Sequence, residues 1–277
     1  MPVILALHCR VSLRSALPLL IVPAICLIAT QARAQSADGQ QQGDWQVMLG
    51  AGGIYAPDFE GSDEFEFQPF PFVSVEYRDL AYIRGPEIGV NIIRLKPTED
   101  FSIKAGPLVR YRRDRKEKRN KDLRGLGDVG TAIEAGGALS FEYRQAWLRV
   151  SLAKDIAGGH EGLVGEGEAG IRFNLSDTLI ASASAKASWA DKDYMGTYFG
   201  VTAAQATRSG LPVYRAESGL KDVGAGLNLS YMLGQNWMVT AVGGYSRLMG
   251  DAADAPLVVR RGSPDQWMGG LFVAYRF

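Results

Sequence analysis

The sequence contains few residues that could support chemistry at a metal or a thiol. Of its 277 residues only two are cysteine and two are histidine, and Cys9, Cys26 and His8 all lie within the first 34 residues. If that segment is removed, His160 is the one histidine left and no cysteine remains. Disulfides, thiol catalysis, thiolate metal sites and sites that need two imidazoles are then excluded. We therefore predict no catalytic residues, no cofactor and no bound metal.

The sequence also has no excess of positive or of negative charge. Lys and Arg total 30, and Asp and Glu total 30, so the chain has no basic field of the kind that a dedicated nucleic-acid binder uses. A mean hydropathy of -0.05 excludes a helical membrane transporter. A hydrophobic content of 47% with 22% charged residues predicts an ordered protein.

The N-terminal segment resembles a secretory leader. Arg10 and Arg14 precede an apolar run at residues 16–29, and Ala32-Arg33-Ala34 forms a small-x-small cleavage pattern. An uncleaved anchoring helix is the alternative, although the run is short and contains two prolines. We predict a cleaved signal peptide at residues 1–34, a periplasmic segment at residues 35–44 and one domain at residues 45–277. Removal of the leader leaves 27 basic against 30 acidic residues.

The rest of the chain alternates with a period of two residues. In residues 179–189 one face consists of Leu, Ala and Trp, whereas the other is mainly Ser with Lys186. The same division recurs in residues 146–152, 163–173 and 223–231. Successive side chains of a strand point to opposite faces, so the pattern predicts half-apolar β-strands throughout.

The positions of the aromatic residues distinguish a membrane barrel from a soluble sandwich. They stand at the ends of the apolar faces, whereas a sandwich buries its large aromatics in mid-strand. Aliphatic residues between two aromatic girdles are typical of a lipid-facing band. We predict an antiparallel transmembrane β-barrel in the outer membrane of a Gram-negative bacterium. The girdle residues are Trp45, Tyr55, Tyr77, Tyr111, Phe141, Tyr143, Trp189, Tyr231, Trp237, Tyr245 and Trp267.

Short and long connections alternate along the chain, and this alternation indicates which end of the barrel faces the periplasm and which faces outward. Transmembrane barrels have short periplasmic turns and long outer loops. About twelve strands result if residues 79–95 fold back at Gly85-Pro86, and ten is the alternative. The longest loop, residues 190–219, contains apolar pairs such as Tyr198-Phe199, and we expect it to fold over the mouth of the barrel. The predicted turns are 78–79, 96–100, 144–145, 176–177 and 234–235, and the predicted outer loops are 56–65, 112–129, 156–162, 190–219 and 248–265.

The last strand carries an expected assembly signal. Apolar residues occupy every second position before a terminal aromatic residue, a pattern similar to the signal that outer-membrane assembly machinery recognises. We therefore predict that this machinery is a partner. The residues concerned are Trp267, Leu271, Val273, Tyr275 and Phe277.

Two groups of charged residues are candidate binding features. The first is a basic patch in an outer loop, which either contacts lipopolysaccharide phosphates or is a solvated, mobile loop. Its members are Arg112, Arg113, Arg115, Lys116, Lys118, Arg119, Lys121 and Arg124. The second group is expected to face the lumen and to form a structural ion-pair network rather than an acid-base pair. Its members are Lys104, Arg110, Glu134, Arg149, Glu166, Glu168, Arg172 and Lys186.

The remaining histidine, His160, lies in the loop Gly158-Gly159-His160-Glu161. A catalytic role would require a serine and an orienting acid around it, and the sequence places no serine there. We expect an exposed loop histidine.

Several stretches resemble the MipA/OmpV family of outer-membrane proteins. They are residues 57–62 (PDFEGS), 198–202 (YFGVT), 209–212 (SGLP), 250–258 (GDAADAPLV) and 273–277 (VAYRF). The resemblance implies a non-enzymatic barrel, in some members a scaffold that holds a lytic transglycosylase together with a penicillin-binding protein in peptidoglycan synthesis. Other members are linked to adhesion, stress or antibiotic response. A small-solute channel is the alternative function from a different class, since Gly- and Ser-rich inner faces could leave a water path.

Overall fold

The computed structural model describes residues 44–277, which form one antiparallel sheet with helices in its connections. The predicted leader at residues 1–34 and the predicted periplasmic segment, apart from Asp44, lie outside the described residues. In residues 44–277 no helix is both long enough and apolar enough to cross a membrane.

The sheet contains thirteen strand segments. They are β1 (Trp45–Pro57), β2 (Phe65–Tyr77), β3 (Ala81–Arg84), β4 (Glu87–Val90), β5 (Ile93–Thr98), β6 (Phe101–Arg112), β7 (Ala132–Tyr143), β8 (Ala146–Asp155), β9 (Leu163–Asn174), β10 (Leu179–Ala190), β11 (Gly219–Leu233), β12 (Trp237–Leu248) and β13 (Asp265–Arg276). The helices are α1 (Lys192–Tyr198), α2 (Ala203–Ser209), α3 (Gly250–Ala253) and α4 (Pro256–Arg261), with two 3-10 turns at Glu117–Arg119 and Lys121–Leu123.

The sheet closes into a barrel of twelve strands. The first strand pairs with the last, with Met48 opposite Arg276, and β4 and β5 both pair with β6. They are therefore two parts of one strand, interrupted at residues 91–92. The predicted reversal at Gly85-Pro86 and the count of twelve are confirmed, and the ten-strand alternative is wrong. The predicted turn at residues 96–100 is shorter, because β5 continues to Thr98.

The apolar faces of the strands point outward. Along β8, Leu148, Val150 and Leu152 are exposed, whereas Ser151 and Ala153 on the opposite face are buried. Aliphatic residues so exposed in mid-strand have no protein core to enter, so the soluble-sandwich alternative is wrong. The outward face is the surface that meets lipid.

Aromatic side chains mark the two edges of this apolar band. Trp45, Tyr143 and Trp237 are exposed at the end that carries the tight turns, and Tyr55 and Trp267 at the end that carries the long loops. From Trp45 to Tyr55 the strand extends about 33 Å at roughly 3.3 Å per residue. A tilt of roughly 40° reduces this to a height of about 25 Å, the height of a lipid-facing band.

We predict that Leu227→Arg, at the middle of β11, lowers the free energy of unfolding by about 2–4 kcal/mol, the typical cost of Arg on the lipid face at the bilayer midplane. Leu227 is 66% exposed and faces outward. Urea unfolding in lipid vesicles measures the change. Asn228→Arg is the matched control, because the next residue faces the lumen and its side chain meets Ser182. Equal destabilisation by both substitutions would contradict the assignment of the faces.

Candidate functional site

The longest outer loop folds over the mouth of the barrel, as expected from its sequence. It contains α1, which begins where the Asp191 carboxylate accepts the N–H groups of Asp193 and Tyr194, and α2, which begins with a capping box at Thr202. Tyr194 and Met195 on α1 are fully buried. They pack in a cluster with residues of other outer loops and strand ends, including Val129, Leu248 and Val258.

A second apolar cluster joins the other outer loops to this cap. The outer loop that carries the basic patch, residues 112–129, is called the basic loop. Its residues Leu123 and Leu126 pack with Phe59, Val201 and Leu257. Three loops and the turn between β1 and β2 therefore share buried side chains. We call this assembly, which closes the outer end of the lumen, the cap.

Beneath the cap lies a cluster of ionisable side chains from distant parts of the sequence. Glu60 accepts hydrogen bonds from the Tyr194 hydroxyl (2.9 Å) and from Lys221 Nζ (3.1 Å). Glu134 accepts one from Arg112 Nε (2.6 Å). Burial raises the pKa of Glu60, but Lys221 and Arg112 outweigh that effect and hold the pKa below its usual range. We call the following set of residues the latch cluster: Glu60, Arg112, Glu134, His160, Tyr194 and Lys221.

The expectation that His160 is exposed is wrong. The side chain is 2% exposed, its Nδ1 accepts the N–H of Gly162 (3.0 Å), and its Nε2 lies 3.0 Å from Glu134. Since Nδ1 accepts a hydrogen bond, the ring N–H is on Nε2, which donates a hydrogen bond to the Glu134 carboxylate. The loop turns inward because the Asp155 carboxylate accepts the N–H groups of His160 and Glu161.

The basic patch of the outer loop does not form one surface. Arg112 belongs to the latch cluster, and Arg115 is 9% exposed and donates to the carbonyl oxygens of Tyr198 (2.8 Å) and Thr197 (3.2 Å). Arg115 is therefore buried away from lipopolysaccharide phosphates, which corrects the prediction for this residue, and Arg112 is engaged in ion pairs with carboxylates of the latch cluster. Exposed members of the set are Arg113, Lys118, Arg119, Lys121 and Arg124.

Contacts within the basic loop hold it in a defined conformation, whereas a mobile loop would lack such contacts. The Glu117 carboxylate accepts the N–H groups of Gly125 and Gly127, each at 2.8 Å. These hydrogen bonds hold the pKa of Glu117 below its usual range. Lys121 pairs with Glu64 at 2.6 Å, which ties the loop to the turn between β1 and β2.

The structure brings together part of the predicted lumen network. Arg110 pairs with Glu166 (2.7 Å) and with Glu87 (2.8 Å), and Glu87 also pairs with Arg149. Sequence reasoning missed Glu87, because β4 is too short to show which face it occupies. Lys104 pairs with Asp79 (2.7 Å) near the turns. Among residues 44–277 no ion pair joins Glu168, Arg172 or Lys186 to this network.

These charges line a cavity of about 1150 Å³ inside the barrel. Its walls include Glu87, Arg110, Arg149 and Glu166. Residues 44–277 contain no group of three or more His, Cys, Asp or Glu residues that could hold a metal ion.

We predict that the cap loosens as the pH falls. The pKa of Glu60 is lower in the folded protein than in the unfolded chain, so its contribution to stability is present above the usual carboxyl pKa of about 4.3. It is lost as the pH falls through the lowered value. Protease cleavage of the outer loops in vesicle-embedded protein should rise in this range, and Glu60→Gln should weaken the pH dependence. Glu217→Gln, at an exposed loop residue, should leave it unchanged, and a pH-independent cleavage rate would contradict this role.

We also predict that Glu134→Leu destabilises the barrel by about 3–5 kcal/mol, the usual cost of leaving one partner of a buried ion pair alone. Glu134 is fully buried and Arg112 is its partner. The double variant Arg112→Leu/Glu134→Leu should recover part of this loss, since both members of the pair are removed while Glu60 keeps Lys221 and Arg110 keeps Glu87 and Glu166. Urea unfolding in detergent micelles measures both. A double variant as unstable as Glu134→Leu would show that the pairing is not the cause.

Comparison with known proteins identifies the family. The family model described as "MltA-interacting protein MipA" matches residues 49–277. The MltA-interacting protein of Escherichia coli (strain K12) is 26% identical over 256 residues, which is 91% of this chain and 96% of the relative. The outer membrane protein OmpV of Vibrio cholerae serotype O1 is 36% identical over 107 residues, 38% of this chain and 40% of the relative.

Among solved structures, an outer membrane channel of Pseudomonas putida F1 is 11% identical, covers 88% of this chain and all of that chain, and gives a TM-score of 0.46. The names of the sequence relatives denote outer membrane proteins and an interacting protein, not enzymes. The barrel lies in the outer membrane. The chain belongs to the MipA family, which the resemblance to MipA/OmpV sequences predicted.

Proposed function

We propose that this protein is a non-conducting scaffold whose periplasmic end docks enzymes that cut or synthesise peptidoglycan. The observation that carries the proposal is the cap, which blocks the outer end of the barrel with two apolar clusters. A barrel closed in this way exposes one polar end to the periplasm.

The periplasmic end has charged side chains that a partner could bind. A cavity of about 610 Å³ at this end is lined by Arg78, Asp79, Arg94 and Arg144, among others. The ion pair of Arg144 with Asp100 (3.1 Å) at this end is more than half exposed on both side chains. Exposed pairs contribute about 0–1 kcal/mol each, so a partner can exchange them for its own charges at little cost. We call this surface the periplasmic rim.

The identity of the partner rests on the family. The relative from Escherichia coli is named for its interaction with MltA, and the resemblance implies a lytic transglycosylase acting together with a penicillin-binding protein. This chain offers them the periplasmic rim, since its remaining periplasmic connections are tight turns.

We predict that Arg78→Glu/Arg144→Glu abolishes capture of a lytic transglycosylase from solubilised envelopes at native expression. The reason is that both side chains are about 59% exposed at the periplasmic rim, where reversal of charge repels a partner that binds them. Arg215→Glu is the matched control, because Arg215 is 83% exposed in an outer loop. Capture that is equal for all three proteins, or absent for the wild type, would refute the scaffold.

A small-solute channel is the second candidate, and the polar cavity of about 1150 Å³ favours it. The two candidates differ in planar-bilayer recordings. The cap predicts no steady conductance for the intact protein, whereas a stable single-channel conductance would establish the channel. Mixed charges along the lumen would then give weak ion selectivity.

A further inference from the structure

The barrel wall is incomplete on one side, in its outer half. β3 pairs with β2 only at Ser74–Tyr77, and β4 pairs with β6 only at Leu108–Arg110. The hairpin of β3 and β4 therefore ends at its Gly85-Pro86 turn, where Gly85 N–H reaches the Val73 carbonyl (3.1 Å) and the Pro86 carbonyl accepts the Tyr111 N–H (2.9 Å). Beyond this turn no strand of the described chain pairs with the free edge of β2.

This gap has defined borders. Its outer border is the ion pair of Glu66 on β2 with Arg113 (3.2 Å), and its inner border is the turn at Gly85-Pro86. From Glu66 to Val73, β2 extends about 23 Å at roughly 3.3 Å per residue. We call this opening the lateral window.

The sequence of β2 suits an edge that stays open. Backbone groups of alternate residues face the same edge of a strand, and the Val73 carbonyl faces the window. Pro69 and Pro71 are therefore the positions whose N–H groups would face the window. Proline has no N–H, so two donors that would be unsatisfied in lipid are absent. The same absence removes donors that a second copy of the chain would need for edge-to-edge pairing.

The part of β2 that borders the window lies between the lipid and the lumen cavity. Phe67 is 66% exposed and faces outward, whereas Gln68 and Phe70 of β2 line the same cavity as Arg113 and the lumen residue Arg110. The cavity is lined by eight arginines and five carboxylates, although the chain as a whole has equal charges. This excess of positive charge favours an anionic group.

The lumen wall beside the window is apolar. Phe70 and Phe72 lie on the lumen side of β2, and the Phe72 ring packs against Phe272 at a centroid distance of 5.9 Å. An apolar wall adjacent to guanidinium groups matches a molecule with both acyl chains and a negative headgroup.

We propose that the lateral window admits an outer-leaflet amphiphile, with its acyl chain against Phe67 and Phe70 and its phosphate-bearing headgroup at Arg84 and Arg113. Both arginines line the cavity and are about half exposed. Each makes a surface ion pair with one glutamate, which a phosphate can replace at low cost. Because the cap closes the outer end, the bilayer is the route of entry. This site lies in the outer half of the wall, apart from the periplasmic rim.

Spin labelling tests the acyl-chain part. Residues 44–277 contain no cysteine, so Phe70→Cys can carry a single nitroxide in vesicles of phosphatidylcholine and phosphatidylglycerol. The measured quantity is the ratio of the nitroxide's collision rate with oxygen to its collision rate with a water-soluble nickel chelate. We expect this ratio to equal the ratio for a label at Leu227, which faces lipid. A ratio equal to that of Asn228, which faces the lumen, would overturn the proposal. Gln68→Cys is the second labelled position if Phe70→Cys does not fold.

Native mass spectrometry tests the headgroup part. Wild-type protein from the same vesicles should retain phosphatidylglycerol in preference to phosphatidylcholine. Arg84→Gln/Arg113→Gln should reduce this preference about tenfold, which corresponds to about 1.4 kcal/mol. The control Arg215→Gln/Arg247→Gln removes two exposed arginines that do not line the cavity, and it should retain the preference.

Three other outcomes would overturn the proposal. One is an unchanged preference in the Arg84/Arg113 variant. Another is loss of phosphatidylglycerol when inorganic phosphate is added at equal concentration, which would assign the arginines to a free anion. The last is a dimer mass that Phe67→Asp abolishes, which would show that a second copy covers the window.

Discussion

The need to satisfy backbone hydrogen bonds in lipid constrains this structure more than any other interaction. In a bilayer an unpaired N–H or C=O costs several kcal/mol, so strands cross only when the sheet closes. The pairing of β1 with β13 and of β4 with β6 meets that requirement everywhere except along the outer edge of β2, where Pro69 and Pro71 remove two of the donors that would be unpaired. The outward aliphatic residues and the two aromatic girdles follow from closure, since the outer surface then has only lipid to contact.

The same constraint explains why the interior is charged. A barrel surrounded by lipid has no apolar core, so its polar side chains must find partners across the lumen. Glu87 shows how this occurs, because it accepts from Arg110 and Arg149 on two different strands. Buried pairs of this kind add little net stability but are costly to break. They fix how the strands and loops sit relative to one another.

Within residues 44–277, the cap is the part that resembles a soluble protein. Its helices are short, and they hold their positions through buried residues such as Tyr194, Met195 and Phe199 rather than through intrinsic helix stability. The latch cluster attaches this apolar layer to the strand ends, because Glu60 accepts hydrogen bonds from Tyr194 and Lys221 and Glu134 contacts Arg112 and the His160 imidazole. The outer end is therefore closed, and access to the lumen is left to the periplasmic end and the barrel wall.

The sequence by itself determined the features that repeat locally: the period of two, the outward apolar face, the girdles, the alternation of short turns and long loops, and the twelve strands. It also carried the family, through motifs in the outer loops. Only the tertiary structure decided the contacts between distant residues. It buried His160 against Glu134, turned Arg115 away from solvent, and left the outer part of β2 without a second partner strand. Alternation specifies which face a side chain occupies, whereas pairing across the lumen depends on strand register and loop folding, and neither leaves a periodic signal in the chain.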